Sequence, residues 1–292
     1  MRRTVFQSMV ATLLAALAST PAMALDVDAG DYTALPPGTN LALVYYQHAQ
    51  RDRLYGKGAP VPIVAGLDSD VGILRGVHFM DIGGITVDPQ FLLPFGRLKG
   101  KDGTAFLGDG SGAGDVILAA TAWLVNRKDA NTYFGITPFL TLPTGRYDRN
   151  KALNLGEHRT KFTLQAGYIT PVAPSLSLDL IADVTVYGDN RDFGAASATL
   201  AQKASYGAQA HLRYHVSPTM DVRAGVFKTI TGETRVNGVG RGDRGDTVKF
   251  NLGATYFVRP TTQLLATWGR DTSVRDGFKE NSRVNLRLLE VF

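Results

Sequence analysis

The sequence predicts an all-β chain, a transmembrane antiparallel up-and-down β-barrel of about 12 strands. Three observations carry that expectation. Apolar and polar residues alternate strictly over runs of a dozen residues; the links between runs alternate between short and long; and no apolar run beyond the first 25 residues could form a membrane helix.

The chain divides into a leader at 1–24, a periplasmic N-terminal segment at 25–39 and an outer-membrane barrel at 40–292. Arg2 and Arg3 form a positive start, Val5 to Leu17 is mainly apolar, and Ala22-Met23-Ala24 is an A-x-A cleavage site. That is a secretory signal peptide, and it places the mature chain outside the cytoplasm of a Gram-negative bacterium. The rest reads as strands near 40–48, 71–80, 84–95, 114–126, 131–143, 160–171, 175–188, 201–216, 219–231, 247–258, 261–270 and 281–292. In the seventh, Leu176, Leu178, Leu180, Ala182, Val184 and Val186 share one face, and Ser175, Ser177, Asp179, Asp183 and Thr185 the other. Only Ile181 breaks the pattern. Tyr206 to Val216 and Val248 to Val258 repeat it. A period of two is a strand with one apolar and one polar side, and such lengths suit a tilted bilayer crossing.

Short links follow even-numbered strands, as at Val172-Ala173-Pro174, Ser217-Pro218 and Arg259-Pro260. Long polar links at 49–70, 96–113, 144–159, 189–200, 232–246 and 271–280 follow odd-numbered ones. Short periplasmic turns and long outer loops are the layout of an outer-membrane barrel, and closure leaves no strand edge facing lipid. Val284, Leu286, Leu288 and the terminal Phe292 resemble the signal read by the outer-membrane assembly machinery, although Glu290 interrupts it. Alternation does not say which face points inward, so a lipocalin-like soluble barrel shares the pattern. Twelve long strands, however, enclose more volume than these apolar side chains fill. Tyr45, Tyr46, Trp123, Tyr133, Tyr147, Tyr187 and Trp268 are compatible with interfacial girdles.

Composition excludes several classes. Without residues 1–24 the chain has 29 basic against 26 acidic side chains, too balanced for a nucleic-acid binder that relies on charge. The absence of cysteine excludes disulfide scaffolds, thiolate metal sites and thiol catalysis. None of the five histidines has a serine and an orienting acid at an evident spacing, so no catalytic residue is assigned. His211 and His215 share a face but lie about 13 Å apart at strand rise, too far to ligate one metal. No cofactor or metal is expected.

Leu35-Pro36-Pro37-Gly38-Thr39, followed by Tyr45-Tyr46, resembles the mature start of the outer-membrane family associated with the meta-cleavage pathway of phenol degradation. Gly110-Ser111-Gly112-Ala113-Gly114-Asp115-Val116 is similar to its Gly-rich segment. Pro143-Thr144-Gly145-Arg146-Tyr147-Asp148, with Asn154-Leu155-Gly156, is similar to a second. The loop at Glu157-His158-Arg159 departs by lacking an aromatic after the Asn–Gly pair. The resemblance implies a barrel that moves hydrophobic aromatic compounds, with no catalytic residues to carry over. Physically, these glycines let loops bend tightly or approach the wall closely. Phosphate cradling would need a following helix, where a strand pattern follows instead.

With polar faces inward, the lumen presents Asp179 and Asp183, then Lys203, His211, Arg213 and His215, then Asp221, Arg223 and Lys249. The tight Ser217-Pro218 link sets Asp221 opposite Arg213 or His215, and Arg223 opposite His211 or Arg213. Charges of both signs in a narrow barrel pair to avoid isolation, and the same pairs can line a solute path. Phe106, Leu107 and Asp109 are the candidates for a constriction loop folded into the mouth. The expected function is facilitated diffusion of small, hydrophobic or aromatic solutes through an outer-membrane channel. Its partners would be lipid, solute and, during biogenesis, the assembly machinery. A structural or surface-interaction barrel with a filled lumen is the alternative.

Overall fold

The computed structural model describes residues 26–292; the expected leader at 1–24 lies outside the described residues. Twelve long strands run antiparallel in chain order. They are β1 (Asn40–Gly56), β2 (Ala65–His78), β3 (Ile85–Asp102), β4 (Ile117–Arg127), β5 (Thr132–Thr141) and β6 (Lys161–Ala173), then β7 (Leu176–Tyr187), β8 (Ser205–Ser217), β9 (Met220–Thr231), β10 (Gly245–Phe257), β11 (Thr262–Val274) and β12 (Gly277–Val291). β12 pairs back onto β1, from Leu41↔Val291 to Tyr55↔Gly277, and closes the barrel.

The structure settles which face is inside. Val44, Leu74, Phe91, Leu118, Leu140, Leu164, Leu180, Leu212, Val226, Leu252, Leu264 and Leu286 all point outward and are exposed. An apolar belt of that extent on every strand is a lipid-facing surface. Threonines, glutamines and charges face inward, among them the buried Thr121, Thr137, Gln165, Asp179 and Arg287.

The strands reach farther outward than the alternation indicates. β3 has 18 residues, about 60 Å at roughly 3.3 Å per residue, whereas the lipid-facing band is about 25 Å tall. The expected loop at 49–70 shrinks to 57–64 and the one at 271–280 to residues 275 and 276. Above the lipid the outward face turns polar, with Asp68, Arg97, Lys99 and Lys101, so the apolar belt that marks the membrane span ends while the ladder continues. Beyond the rim, short strands at Asn190–Phe193, Ala198–Gln202, Thr234–Val236 and Val239–Gly240 form a separate small sheet. Between β3 and β4 the ladder is interrupted: β3 pairs with β4 from Val87 to Leu92 and, higher up, with the strand Asp109–Ala113.

The segment expected to lie in the periplasm, 25–39, has a different place. From Thr39 at the periplasmic rim, where Phe79 N donates to its carbonyl (2.8 Å), the described residues 26–39 run up into the lumen. The inner wall is built to receive them. Tyr32 is buried among Leu43, Val77, Phe79, Trp123, Tyr133, Ile169 and Ile181, inward-facing apolar residues at the lower end of the barrel. Ile181, the one break in its strand's alternation, belongs to this seat. Trp123 and Tyr133 are therefore not lipid-facing girdle residues. Trp123 stacks on Phe79 (5.4 Å) and donates from Nε1 to the Tyr32 carbonyl (2.9 Å). The Tyr32 hydroxyl bonds Thr137 and donates to Gln165, both at 3.0 Å. Two glycines on adjacent strands make room for its ring: a Cβ at Gly167 would sit 2.2 Å from the ring, and one at Gly135 3.0 Å from it.

Two variants test this seat. Tyr32→Ala removes a buried ring and two side-chain hydrogen bonds, and should cost about 3 kcal/mol. Gly167→Leu should displace the ring while leaving the wall's ladder intact. Both should lower the temperature at which the folded band is lost in heat-modifiability gels. A variant as heat-resistant as the parent would contradict the packing described.

Candidate functional site

The lumen is organised by charge. The N-terminal segment carries Asp26, Asp28 and Asp31 within six residues, and the wall opposes them with arginine and lysine. Arg287 Nη1 donates to Asp28 (2.8 Å) and Asp31 (3.1 Å), and Arg75 Nη1 donates to Asp31 (2.8 Å) and Tyr45 (3.1 Å). Lys249 and Arg283 both pair with Asp26. Arg223 Nη1 donates to the Ala29 carbonyl (2.8 Å), and Asp179 accepts from Gly30 N (2.6 Å). Removing one member of such a buried pair leaves an uncompensated charge, at a cost of about 3–5 kcal/mol. The segment is thus held along its length by cations from β2, β9, β10 and β12.

Most of the expected lumen residues face this segment or one another. Asp179 takes a forked contact from Arg213 (3.0–3.1 Å). Asp221 lies opposite His215 and Arg223 opposite Arg213 in the β8–β9 register, although Asp221 bonds Arg223 of its own strand. His211 is buried edge-on to Phe227 (5.0 Å). Lys249 sits over the Phe227 ring (4.6 Å). Asp183 lines the open part of the lumen. His215 lies at the periplasmic end, against Ser177 Oγ (2.9 Å).

Lys203 is a correction. It is exposed on an outer loop and pairs with Glu233 (2.8 Å), because the chain leaves the wall there to build the small outer sheet. Phe106 and Asp109 are another. Phe106 is exposed, and Asp109 pairs outside the lumen with Arg97 (2.9 Å). Leu107 packs with Leu54, Ala65, Leu67 and Leu153. Residues 96–113 form a hairpin continuing the wall, since Phe95–Lys99 pair with Ala113–Asp109. The N-terminal segment, not that loop, narrows the barrel. The residues missed by sequence reasoning were Asp26, Asp28, Asp31 and Tyr32, together with Arg75, Arg283 and Arg287. The signal present was three acids and a tyrosine ahead of the first strand, matched by arginines on the polar face of the last.

Above the segment lies a cavity of about 300 Å³. Asp26 and Val27 contribute to its floor, Leu67, Val71, Ile73, Leu92, Pro94 and Leu265 to its walls, and Leu153, Asn154, Leu155 and Glu157 to its roof. The roof is fixed by backbone packing among the three glycine motifs. A Cβ at Gly145 would lie 2.6 Å from Gly114, and one at Gly110 2.2 Å from the Leu153 carbonyl. The Asp115 carboxylate accepts from Gly145 N and Glu157 N, both at 2.8 Å, and joins the loops. Among the described residues, no group of three or more His, Asp or Glu side chains could hold a metal ion.

Burial alone would push the Glu157 carboxyl up, but Lys161 and Arg159, each at 2.6 Å, outweigh it and hold the pKa at about 2, against an ordinary 4.5. A depressed carboxyl pKa stabilises the folded loop above pH 4.5, and that contribution is lost as pH falls from there through about 2. Amide protection factors in 153–160, which remove the pH dependence of intrinsic exchange, should therefore be high at pH 5 and fall as pH drops through this window. In Glu157→Gln protection should be lower than in the parent at pH 5 and should no longer change across the window.

Residues 51–288 match the family described as "Putative MetA-pathway of phenol degradation". Among solved structures, an outer membrane channel from Pseudomonas putida F1 is 43% identical, with a TM-score of 0.89 over 91% of this chain and 100% of that one. The β domain of the Bordetella autotransporter BrkA is 11% identical with a TM-score of 0.54, over 88% of this chain and 100% of that one. The second likeness concerns the barrel fold alone. No curated protein matches the sequence. The match over most of the chain and the close structural similarity place the protein in the outer membrane, and the chain belongs to the family associated with the MetA pathway of phenol degradation.

Proposed function

We propose that the protein is an outer-membrane channel that admits small hydrophobic, chiefly aromatic solutes by facilitated diffusion, without chemical conversion. The observation that carries this reading is the cavity between the roof and the N-terminal segment. Leu67, Val71, Ile73, Leu92 and Pro94 make one side of its wall aliphatic, and Thr163, Asp183, Thr185, Thr229 and Asn251 make the other side polar. A dry cavity of about 150 Å³ is enough to take benzene, and this one is about 300 Å³. A solute of one substituted ring fits, and a hydrated oligosaccharide does not. The 43% identical structure is itself described as an outer membrane channel, and the family is associated with phenol degradation.

In this reading the segment at 26–39 is the barrier below the cavity, and solute passes when it shifts from its seat. Lipid contacts the outward apolar belt, and Phe292 at the end of the last strand is the feature offered to the assembly machinery. The filled lower lumen also favours a second reading, a barrel that binds or displays and does not transport.

Conductance and liposome swelling separate the two. The intact, refolded protein should show low conductance, and reconstituted vesicles should swell faster in phenol or benzyl alcohol than in glucose. Deleting residues 26–34 should raise conductance several-fold and abolish the preference for ring compounds. A deletion variant with unchanged conductance and no swelling in any solute would sink the channel and leave the filled barrel.

A further inference from the structure

The outward wall changes chemistry where the lipid belt ends. On β11 the exposed Leu264 and Trp268 face lipid. Arg270, the next outward residue, is exposed about 7 Å farther out along the strand. Trp268 Nε1 donates to Ser282 Oγ (3.1 Å), so its ring lies on the apolar belt while its N–H already meets a polar group. Tryptophan sits this way at a membrane–water interface, and it sets the height of the headgroup layer on this side of the barrel.

Three cations converge just above it from adjacent strands: Arg270 on β11, Lys279 on β12 and Arg53 on β1. Arg53 and Lys279 are direct ladder partners. Their neighbours Leu54 and Glu280 are buried on the inner side, which turns both cations outward. Lys279 Nζ crosses to β11 and donates to the Thr272 carbonyl (3.2 Å), with the Tyr55 ring 5.9 Å away. None of the three has a carboxylate partner among the described residues. Asp52, exposed in the bulge beside Arg53, is the acid of this patch and leaves it positive. The other outward cations near the outer rim of the wall strands are compensated. Arg97 pairs with Asp109 (2.9 Å), Lys101 with Asp68 and Lys228 with Asp246. Lys99 stands between Asp68 and Asp109 in the ladder.

We propose that this patch docks the phosphate groups of the phosphorylated glycolipid that forms the outer leaflet of the outer membrane. The lipid's acyl chains lie on the belt that Leu286 and Trp268 belong to. Arg53 and Arg270 offer forked N–H groups that match phosphate oxygens, and Lys279 adds a point charge between them. Charge and height select the occupant together. A soluble anion answers the charge alone, whereas a headgroup phosphate is delivered to this level by chains already held on the apolar belt. The inference rests on the outer-membrane location and the lipid-facing wall, and it holds whether or not the barrel passes solute.

Native mass spectrometry of the refolded full-length barrel, titrated in detergent without divalent cations, tests the site. The probes are bisphosphorylated lipid A, the same lipid with its phosphates removed, and inorganic phosphate. A cation near an anionic lipid surface contributes roughly a factor of five. The parent should therefore hold the bisphosphorylated lipid roughly a hundredfold tighter than the dephosphorylated one, and inorganic phosphate should not displace it. Combining Arg53→Gln, Arg270→Gln and Lys279→Gln should bring the two lipids to equal affinity, with heat-modifiability gels checking that the variant folds. Arg270→Gln alone should cost about fivefold. Combining Arg191→Gln, Arg235→Gln and Arg244→Gln removes as much charge from exposed positions on the outer loops and should keep the preference. Equal affinity of the parent for both lipids, or displacement by inorganic phosphate, overturns the proposal. So does an undiminished preference in the patch variants, or an equal loss in the loop variant.

Discussion

The arrangement of the lumen depends on one electrostatic requirement. A barrel that turns its apolar side chains to lipid keeps its polar ones inside, and here the lower interior holds Arg75, Arg223, Arg283, Arg287 and Lys249. Cations enclosed at that density need counter-charges close by, since desolvation is costly without them. Part of the compensation comes from the wall itself, through Asp179, Asp221 and Glu280. The rest comes from Asp26, Asp28 and Asp31 on a segment that belongs to no strand. The segment is therefore a structural part of the interior as well as a barrier across it.

From that requirement the vertical layout follows. Tyr32 and its apolar seat fix the segment at the periplasmic end, and the aspartates fix it toward mid-lumen. The chamber is what remains between the segment and the roof of Leu153 to Glu157. Its wall is aliphatic on the β2–β3 side and polar on the β6–β9 side, so a solute meets an apolar and a polar surface across the lumen at once. An apolar body with a small polar group suits such a pair of surfaces better than a fully polar molecule does.

Much of the fold was legible in the sequence because the bilayer imposes a strict pattern. Leu176 to Val186 could only be a two-faced strand, and the tight links at Pro174 and Pro218 set the direction of the meander. The lumen was legible only in part. Asp179, Arg213 and Arg223 could be assigned to one shared polar face from period alone, but partner choice could not, because Asp221 turned to Arg223 on its own strand. Lys203 shows the limit of period arguments. It continues the alternation on paper, yet the chain has already left the wall to pair with a neighbouring loop. The segment ahead of the first strand, expected in the periplasm, has no period that would mark it as part of the lumen. Its complement lay in residues far away in sequence, Arg75 and Arg287, and in glycines that leave space for a ring.

The interlocked glycine loops divide the outer surface into two regimes of tolerated change. At Gly110, Gly145 and Gly156 backbone lies against backbone, so neither a side chain nor an extra residue can be absorbed there without lifting the roof. At Lys57-Gly58 and Asn237-Gly238, both residues have positive φ and form two-residue hairpin turns with open space around the glycine. Those tips project from the rim and do not touch the cavity. Length variation, inserted epitopes and exchange of surface identity belong at the tips, so the face shown to the surroundings can diversify while the passage beneath keeps its shape.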